Sequence, residues 1–167
     1  MSLLLAFTLF HTALSLVAII VGIPAMLGLF GGEPRSRSTE AFLALAIATS
    51  VTGFLFPFNG VTPAFITGIV AMLVLGAVLL ARYRFADAAM GRRVYGAGMV
   101  VSLYLLVFVA VVQAYLKVPF LNRLAPTGTE PAFVATQLVV LLGFIVLGAA
   151  AVRAAGPMRM PSGAVPG

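Results

Sequence analysis

The chain predicts an all-α membrane protein, a bundle of five transmembrane helices. Three observations predict it. First, 62% of its 167 residues are hydrophobic and only 8% are charged, where a soluble domain carries about 25% charged residues. Second, the ten basic and four acidic residues all lie outside five long apolar stretches. Third, each stretch approaches the roughly 20 residues that cross a bilayer at about 1.5 Å rise per residue.

Span one runs from Leu3 to Phe30. It has no basic leader and no small-residue cleavage site, so it reads as a retained helix and not a signal peptide. Pro24 should kink its second half, because proline lacks an amide donor and its ring clashes with the preceding turn. Span two runs from Ala41 to Pro57. Phe58, Asn59 and Gly60 form a tight turn into span three, which opens with Thr62 as N-cap and Pro63 at the first helical position and ends near Leu80. Spans two and three are slightly short, so the alternative is a tight re-entrant helical hairpin from Ala41 to Leu80. Lipid-exposed irregular backbone argues against it. Span four covers Val94 to Leu116. The segment from Lys117 to Glu130 mixes Val118, Pro119, Phe120 and Leu121 with Lys117 and Arg123, and reads as an interfacial cap. Span five begins at Pro131, with Glu130 favourable at the helix N-terminus, and ends near Val152. Residues 1–154 form one transmembrane domain. Residues 155–167, rich in Gly and Pro, form a disordered cytoplasmic tail.

Orientation follows from the basic residues. Eight arginines (Arg35, Arg37, Arg82, Arg84, Arg92, Arg93, Arg153, Arg159) fall on one side, and two residues, Lys117 and Arg123, on the other. The positive-inside rule puts the N-terminus outside and the C-terminus in the cytoplasm. The same distribution explains the net charge of +6 without nucleic acid. Tyr83, Tyr95 and Tyr115 fall at span ends, where amphipathic rings favour the interface.

Helices in lipid associate through close packing, not through hydrophobic drive. The stripe Ala41, Ala44, Ala48, Thr52 on span two, Gly68 and Gly76 on span three, and Gly143 and Gly148 on span five supply small residues for it.

The only histidine is His11. Ser15, four residues on, and Thr8, three residues before, share its helix face, and Thr8, His11, Thr12 and Ser15 make the most polar stripe of any span. With the N-terminus outside, Thr49, Thr52, Gln113 and Gln137 fall at a similar height, so polar groups from several helices converge on one outer-leaflet layer. Two readings compete. Ser, Thr, His and Gln bond to backbone or across helices as structural glue. Alternatively His11, Ser15, Thr49, Thr52, Gln113 and Gln137 line a pocket that opens outward.

Other chemistry has little to stand on. With no cysteine there is no disulfide, iron–sulfur cluster or thiolate zinc site, and no second strong ligand accompanies His11 within a span, so no metal site and no cofactor are expected. Haem would need Met as its second axial ligand, and none falls at the height of His11. Proton-coupled transport relies on intramembrane carboxylates, and the spans have none. A Ser15–His11 pair lacks an orienting acid and an oxyanion hole. Basic residues from Arg82 to Arg93 suit anionic headgroups, although orientation alone accounts for them.

FHTALSLVAIIVG in span one, TSVTGFLFPF at the end of span two and VVQAYLKVPFLNRLAPTGTEPAF across the last outer loop resemble a group of small, uncharacterised bacterial integral membrane proteins. The likeness covers Phe7 to Val152. It implies a multi-spanning protein of the bacterial inner membrane and carries no activity with it. Such proteins are expected to hold a second histidine near the start of span three. Here that region reads Pro63, Ala64, Phe65, which weakens a metal or haem reading further.

The sequence therefore predicts a non-enzymatic accessory or assembly component whose partners are the lipid bilayer and another membrane protein. The alternative is binding or transport of a small neutral molecule or lipid through the layer around His11. A haem- or quinone-associated redox role comes third.

Overall fold

The computed structural model describes residues 2–58 and 60–155. Asn59 of the expected turn, and the tail beyond Ala155 with Met158, Arg159 and Met160, lie outside the described residues. Six helices follow one another: α1 (Leu3–Phe30), α2 (Arg37–Gly53), α3 (Pro63–Arg84), α4 (Ala89–Lys117), α5 (Pro119–Leu124) and α6 (Pro131–Ala154). No strand occurs among the described residues. Four of them, α1, α3, α4 and α6, are long and apolar enough to cross a membrane. The protein is a membrane-type helical bundle.

Helices α3 and α4 are longer than the apolar runs, and α2 lies one turn earlier than expected at both ends, stopping at Gly53 and not Pro57. α2 begins at Arg37, α3 runs on to Arg84 and α4 starts at Ala89. Reading charge as the end of a span placed these boundaries one turn short, because Arg and Glu are good helix formers and end turns can reach water. Hydroxyl caps set three starts: Ser2 accepts from the Leu5 amide, Ser36 from Thr39 and Thr62 from Phe65, the last as the sequence predicts. α1 runs on through Pro24 to Phe30. The turns on both sides of Pro24 are packed, with Ala18, Gly22, Ala25 and Met26 buried, so neighbouring helices hold what the missing amide weakens.

Contacts fix an antiparallel order. Gly22 lies against Phe42 and His11 against Thr52, so α2 runs back along α1. Glu40 meets Arg82 and Phe54 meets Gly68, so α2 and α3 run side by side between those levels. α4 is central, packing on α1, α2, α3, α5 and α6.

The core sits in one half of the bundle, the end that carries most arginines. Met26, Phe42, Leu43, Leu75, Val78, Met99, Val100 and Leu103 form it, with Ala25, Ala46, Ala81, Tyr95 and Ala151 between them. Phe42, Val78 and Met99 are fully buried. In the other half, Leu5, Leu9 and Phe10 of α1 and Ile66 and Ile69 of α3 are exposed. α6 buries only Ala151.

Of the small residues expected to allow close approach, Gly68 and Gly148 do face neighbours, Phe54 and Val100, and the others are used less. α2 packs through Thr39, Phe42, Leu43, Ala46 and Thr49, while Ala41 and Ala44 are exposed. Gly76 and Gly143 have no heavy atom within 4 Å of where a Cβ would stand. Close approach falls also on Gly22, Gly96 and Gly98, together with Gly91 under the carbonyl of Phe85. Small size marks a possible contact face, but the bulky partner residues decide which face is used.

Candidate functional site

The layer around His11 is partly assembled. The His11 ring is half-buried, and its Nδ1 lies 2.8 Å from Thr52 Oγ1. The Thr52 hydroxyl also points at the carbonyl oxygens of Ala48, at 2.8 Å, and Thr49, at 3.1 Å. A hydroxyl has one proton. With that proton on the α2 backbone, Thr52 accepts from His11 Nδ1–H, and Nε2 is left as the acceptor. Phe56 meets the imidazole edge-on at 5.2 Å between ring centroids, and Phe7 stacks on Phe56 at 4.8 Å. The α2 end of this motif is legible in TSVTGFLFPF.

The other hydroxyls of the stripe turn to their own helix. Thr8 donates to the Leu4 carbonyl, Thr12 to Thr8 and Ser15 to His11, each at 2.8 Å. This is the back-bonding that satisfies Ser and Thr in lipid-facing helices. The Gln137 side-chain amide bridges two helices: its Nε2 donates to the Phe108 carbonyl at 3.2 Å. Thr49 Oγ1 and Gln137 Oε1 are buried without a hydrogen-bond partner among the described residues. Since Gly22 lies beside Leu103 and His11 beside Thr52, antiparallel packing puts Gln113 near the height of His11, and Gln137 about a turn closer to the core. The structure thus joins His11 to Thr52, sets Gln137 on α4, and places Ser15, Thr49 and Gln113 in the layer without a side-chain bond between them. Neither the groove between α4 and α6 nor the one between α3 and α4 is lined by any of these six residues.

The next loop is tied down by polar bonds. Tyr115 donates to the Ala132 carbonyl at 3.1 Å and pairs with Thr136 Oγ1 at 2.8 Å, and Asn122 donates to the Tyr115 carbonyl at 3.2 Å. The short helix α5 lies here and leaves Phe120 exposed at 70%. Glu130 stands at the N-cap of α6 but does not cap it with its side chain. It turns back to accept from the Thr127 and Thr129 amides, each at 3.0 Å, and from the Thr127 hydroxyl at 2.9 Å. Desolvation is the largest single influence and opposes its ionisation, but these donors together outweigh it and hold the carboxyl below the usual range.

The densest polar cluster is at the opposite end, where the sequence reading saw only topology. Arg82, on the last turn of α3, is buried and forms an ion pair with Glu40 of α2. Its other terminal nitrogen donates to Tyr95 Oη at 3.0 Å, and Tyr95 donates to the Pro34 carbonyl at 2.7 Å. Arg35 closes the loop by donating to the Arg82 carbonyl at 3.3 Å. The guanidinium lies within 6 Å of the Tyr83 and Tyr95 ring centroids, at 5.7 and 5.9 Å. Tyr95 and Tyr115, expected at the lipid interface, are instead buried and hydrogen-bonded; of the three, Tyr83 is the exposed one. Glu40 and Arg82 stand 42 residues apart, so no local spacing announces the pair. Glu40 keeps more than half of its side chain exposed. The cluster ties α2, α3, α4 and the α1–α2 connection together, and its polar atoms are consumed in doing so.

No family model, no curated protein and no solved structure matches this chain.

Proposed function

We propose that the protein is a non-enzymatic accessory or assembly component of the bacterial inner membrane, with its contact surface at the His11 end. On this reading α2 is a fifth span, the Leu3 end of α1 faces outward and the α6 end faces the cytoplasm. Support for the fifth span is that α2 lies beside α3 from the Gly68 level to the Arg82 level, about 21 Å of helix. Support for the orientation is the excess of arginine at the core end. The resemblance to small bacterial membrane proteins favours the compartment.

The observation that carries the functional reading is exposed apolar surface on connecting segments. Leu55, Phe58 and Val61, between α2 and α3, are 66%, 68% and 72% exposed, and Phe120 on α5 is 70% exposed. Lipid-facing side chains within a span need no explanation, but apolar groups on connections at one end of a bundle suit a partner. The polar groups of the same end, by contrast, are largely spent on backbone.

The second reading, a pocket for a small neutral molecule or lipid, is favoured by one observation: the unpaired oxygens of Thr49 and Gln137. Mild-detergent purification at native expression separates the two, with mass spectrometry and an absorbance spectrum on one sample. A stoichiometric membrane-protein partner, lost on Phe58→Ser or Phe120→Ser and kept on His11→Ala, supports the accessory reading. A lone protein carrying a small molecule that His11→Ala releases would replace it.

A further inference from the structure

A groove of about 540 Å³ runs between α4 and α6, lined by Ala97, Tyr104, Leu141, Ile145, Gly148 and Arg153 among others. Three contacts set its register: Gly96 on Ala151, Val100 on Gly148, and Tyr104 on Phe144. The helices are therefore antiparallel, and one turn beyond Gly96 brings Arg93 to the level of Arg153. Arg93, Ala97 and Tyr104 fall on one face of α4 at helical spacing. Leu141, Ile145, Ala149 and Arg153 do the same on α6.

The groove thus has an apolar trough with Arg153 in its lining at one end, and the helix register puts Arg93 of α4 just beyond that end at the same level. Both arginines are exposed. The ion pair found among the described residues is Arg82 with Glu40, and neither Arg93 nor Arg153 shares in it. From Leu141 to Arg153 the trough measures about 18 Å along α6. That is close to one leaflet of a hydrocarbon core roughly 30 Å thick.

We propose that this groove is a binding site for an anionic phospholipid of the arginine-side leaflet, one acyl chain lying against Gly148 and the phosphate between Arg93 and Arg153. Length, apolarity and charge all suit that occupant. A second copy of the chain suits it less. A two-fold contact through this groove would bring four guanidinium groups together, and like charges in apposition oppose association. The site is at the opposite end from the proposed partner surface and does not depend on it.

The test is native mass spectrometry of the full chain in mild detergent, titrated with palmitoyl-oleoyl phosphatidylglycerol or the matching phosphatidylcholine. Wild type should retain phosphatidylglycerol about tenfold better, since each basic group near a headgroup adds a several-fold preference. The double variant Arg93→Gln/Arg153→Gln should lose the preference and keep weak retention of both lipids. Gly148→Leu should lower retention of both by filling the trough, and Ala149→Leu serves the same purpose if the first does not fold. Equal retention of the two lipids by wild type overturns the proposal and needs no variant. A lipid-free dimer that Gly148→Leu dissociates also overturns it and makes the groove an interface between copies.

Discussion

Replacing each of five glycines by alanine should sort them by what the added methyl meets. At Gly91 the new Cβ would stand 1.9 Å from the Phe85 carbonyl oxygen. That oxygen belongs to the backbone of the α3–α4 turn, so no rotamer relieves the clash and the turn itself must move. Overpacking of well-packed sites costs about 1–3 kcal/mol, and Gly91→Ala belongs at or above the top of that range. At Gly98 the contact is Val78 Cγ2 at 2.4 Å. Val78 is fully buried, and a β-branched side chain in a helix has one strongly preferred rotamer, so about 2 kcal/mol is expected. At Gly22 the nearest atom, at 2.6 Å, is the flexible end of Leu103, although Phe42 waits at 3.2 Å; about 1–2 kcal/mol follows. Gly76 and Gly143 meet nothing within 4 Å. There alanine should be neutral or stabilise by up to about 1 kcal/mol through helix propensity. Thermal midpoints in one detergent, read by loss of the monodisperse peak, report the order. A kcal/mol corresponds to about 2–4 °C for a chain of this size. If Gly91→Ala melts with wild type while Gly143→Ala falls, the inferred packing of α3, α4 and α6 is wrong.

Three further outcomes follow. Glu40→Ala should destabilise more than Arg82→Met, because it strands a buried guanidinium while the reverse change leaves a carboxylate already half in solvent; the loss for Glu40→Ala is up to about 3 kcal/mol, the double variant should resemble Arg82→Met, and equal losses would contradict the argument. His11→Ala removes one hydrogen bond whose acceptor keeps its own backbone partners, so its midpoint should fall by only about 1 kcal/mol equivalent, measured in the same melts. Glu130 has a depressed folded value, so its contribution to the order of the Thr127–Glu130 turn is complete above the ordinary carboxylate value and lost as pH falls through the lower folded one. Amide exchange at Thr127 and Thr129 should accelerate only in acid, and Glu130→Gln should show the acid behaviour at neutral pH.

The helices were legible because composition leaves lipid as the solvent for their surfaces, and backbone groups in lipid must then be satisfied internally. Thr62 and Pro63 announced the start of α3 in two adjacent residues. Packing was less legible. Phe42, Leu43 and Ala46 occupy the buried face of α2, and Ala41 and Ala44 beside them are exposed. Both faces have helical periodicity, and in an apolar span neither is marked by polarity, so hydrophobic patterning has nothing to distinguish them. Of the candidate site, the shared height of His11, Thr52 and Gln113 could be read once alternation of direction along the chain was assumed. The His11–Thr52 bond could not, since Ser15, Thr8 and Thr12 were equally good candidates on spacing alone. Arg82 and Glu40 were hidden for a different reason. A charge at a span end satisfies the positive-inside rule and invites no further explanation, yet a long side chain can also fold inward when a partner from another helix meets it.

The two ends of the bundle use polar groups in opposite ways, and this bears on where function lies. At the arginine end, Arg82, Tyr95 and the Pro34 carbonyl form a continuous network over a packed core, and Arg93 and Arg153, which have no ion-pair partner among the described residues, stand outside it. At the His11 end, threonine and serine of the spans return their protons to their own helices, and among the described residues His11–Thr52, Gln137–Phe108 and the Tyr115 cluster cross between elements. A layer of polar residues in a membrane helix is therefore weak evidence for a pocket, because the nearest carbonyl is always within reach of a hydroxyl. Aromatic side chains on a connection have no such internal outlet. Phe58 and Phe120 cannot be satisfied by the backbone that carries them; they must face lipid, water or a partner, and the last two differ in free energy by about 25 cal/mol for each Å² of apolar surface covered. The proposed contact surface rests on that difference and not on the histidine that first drew attention to this end.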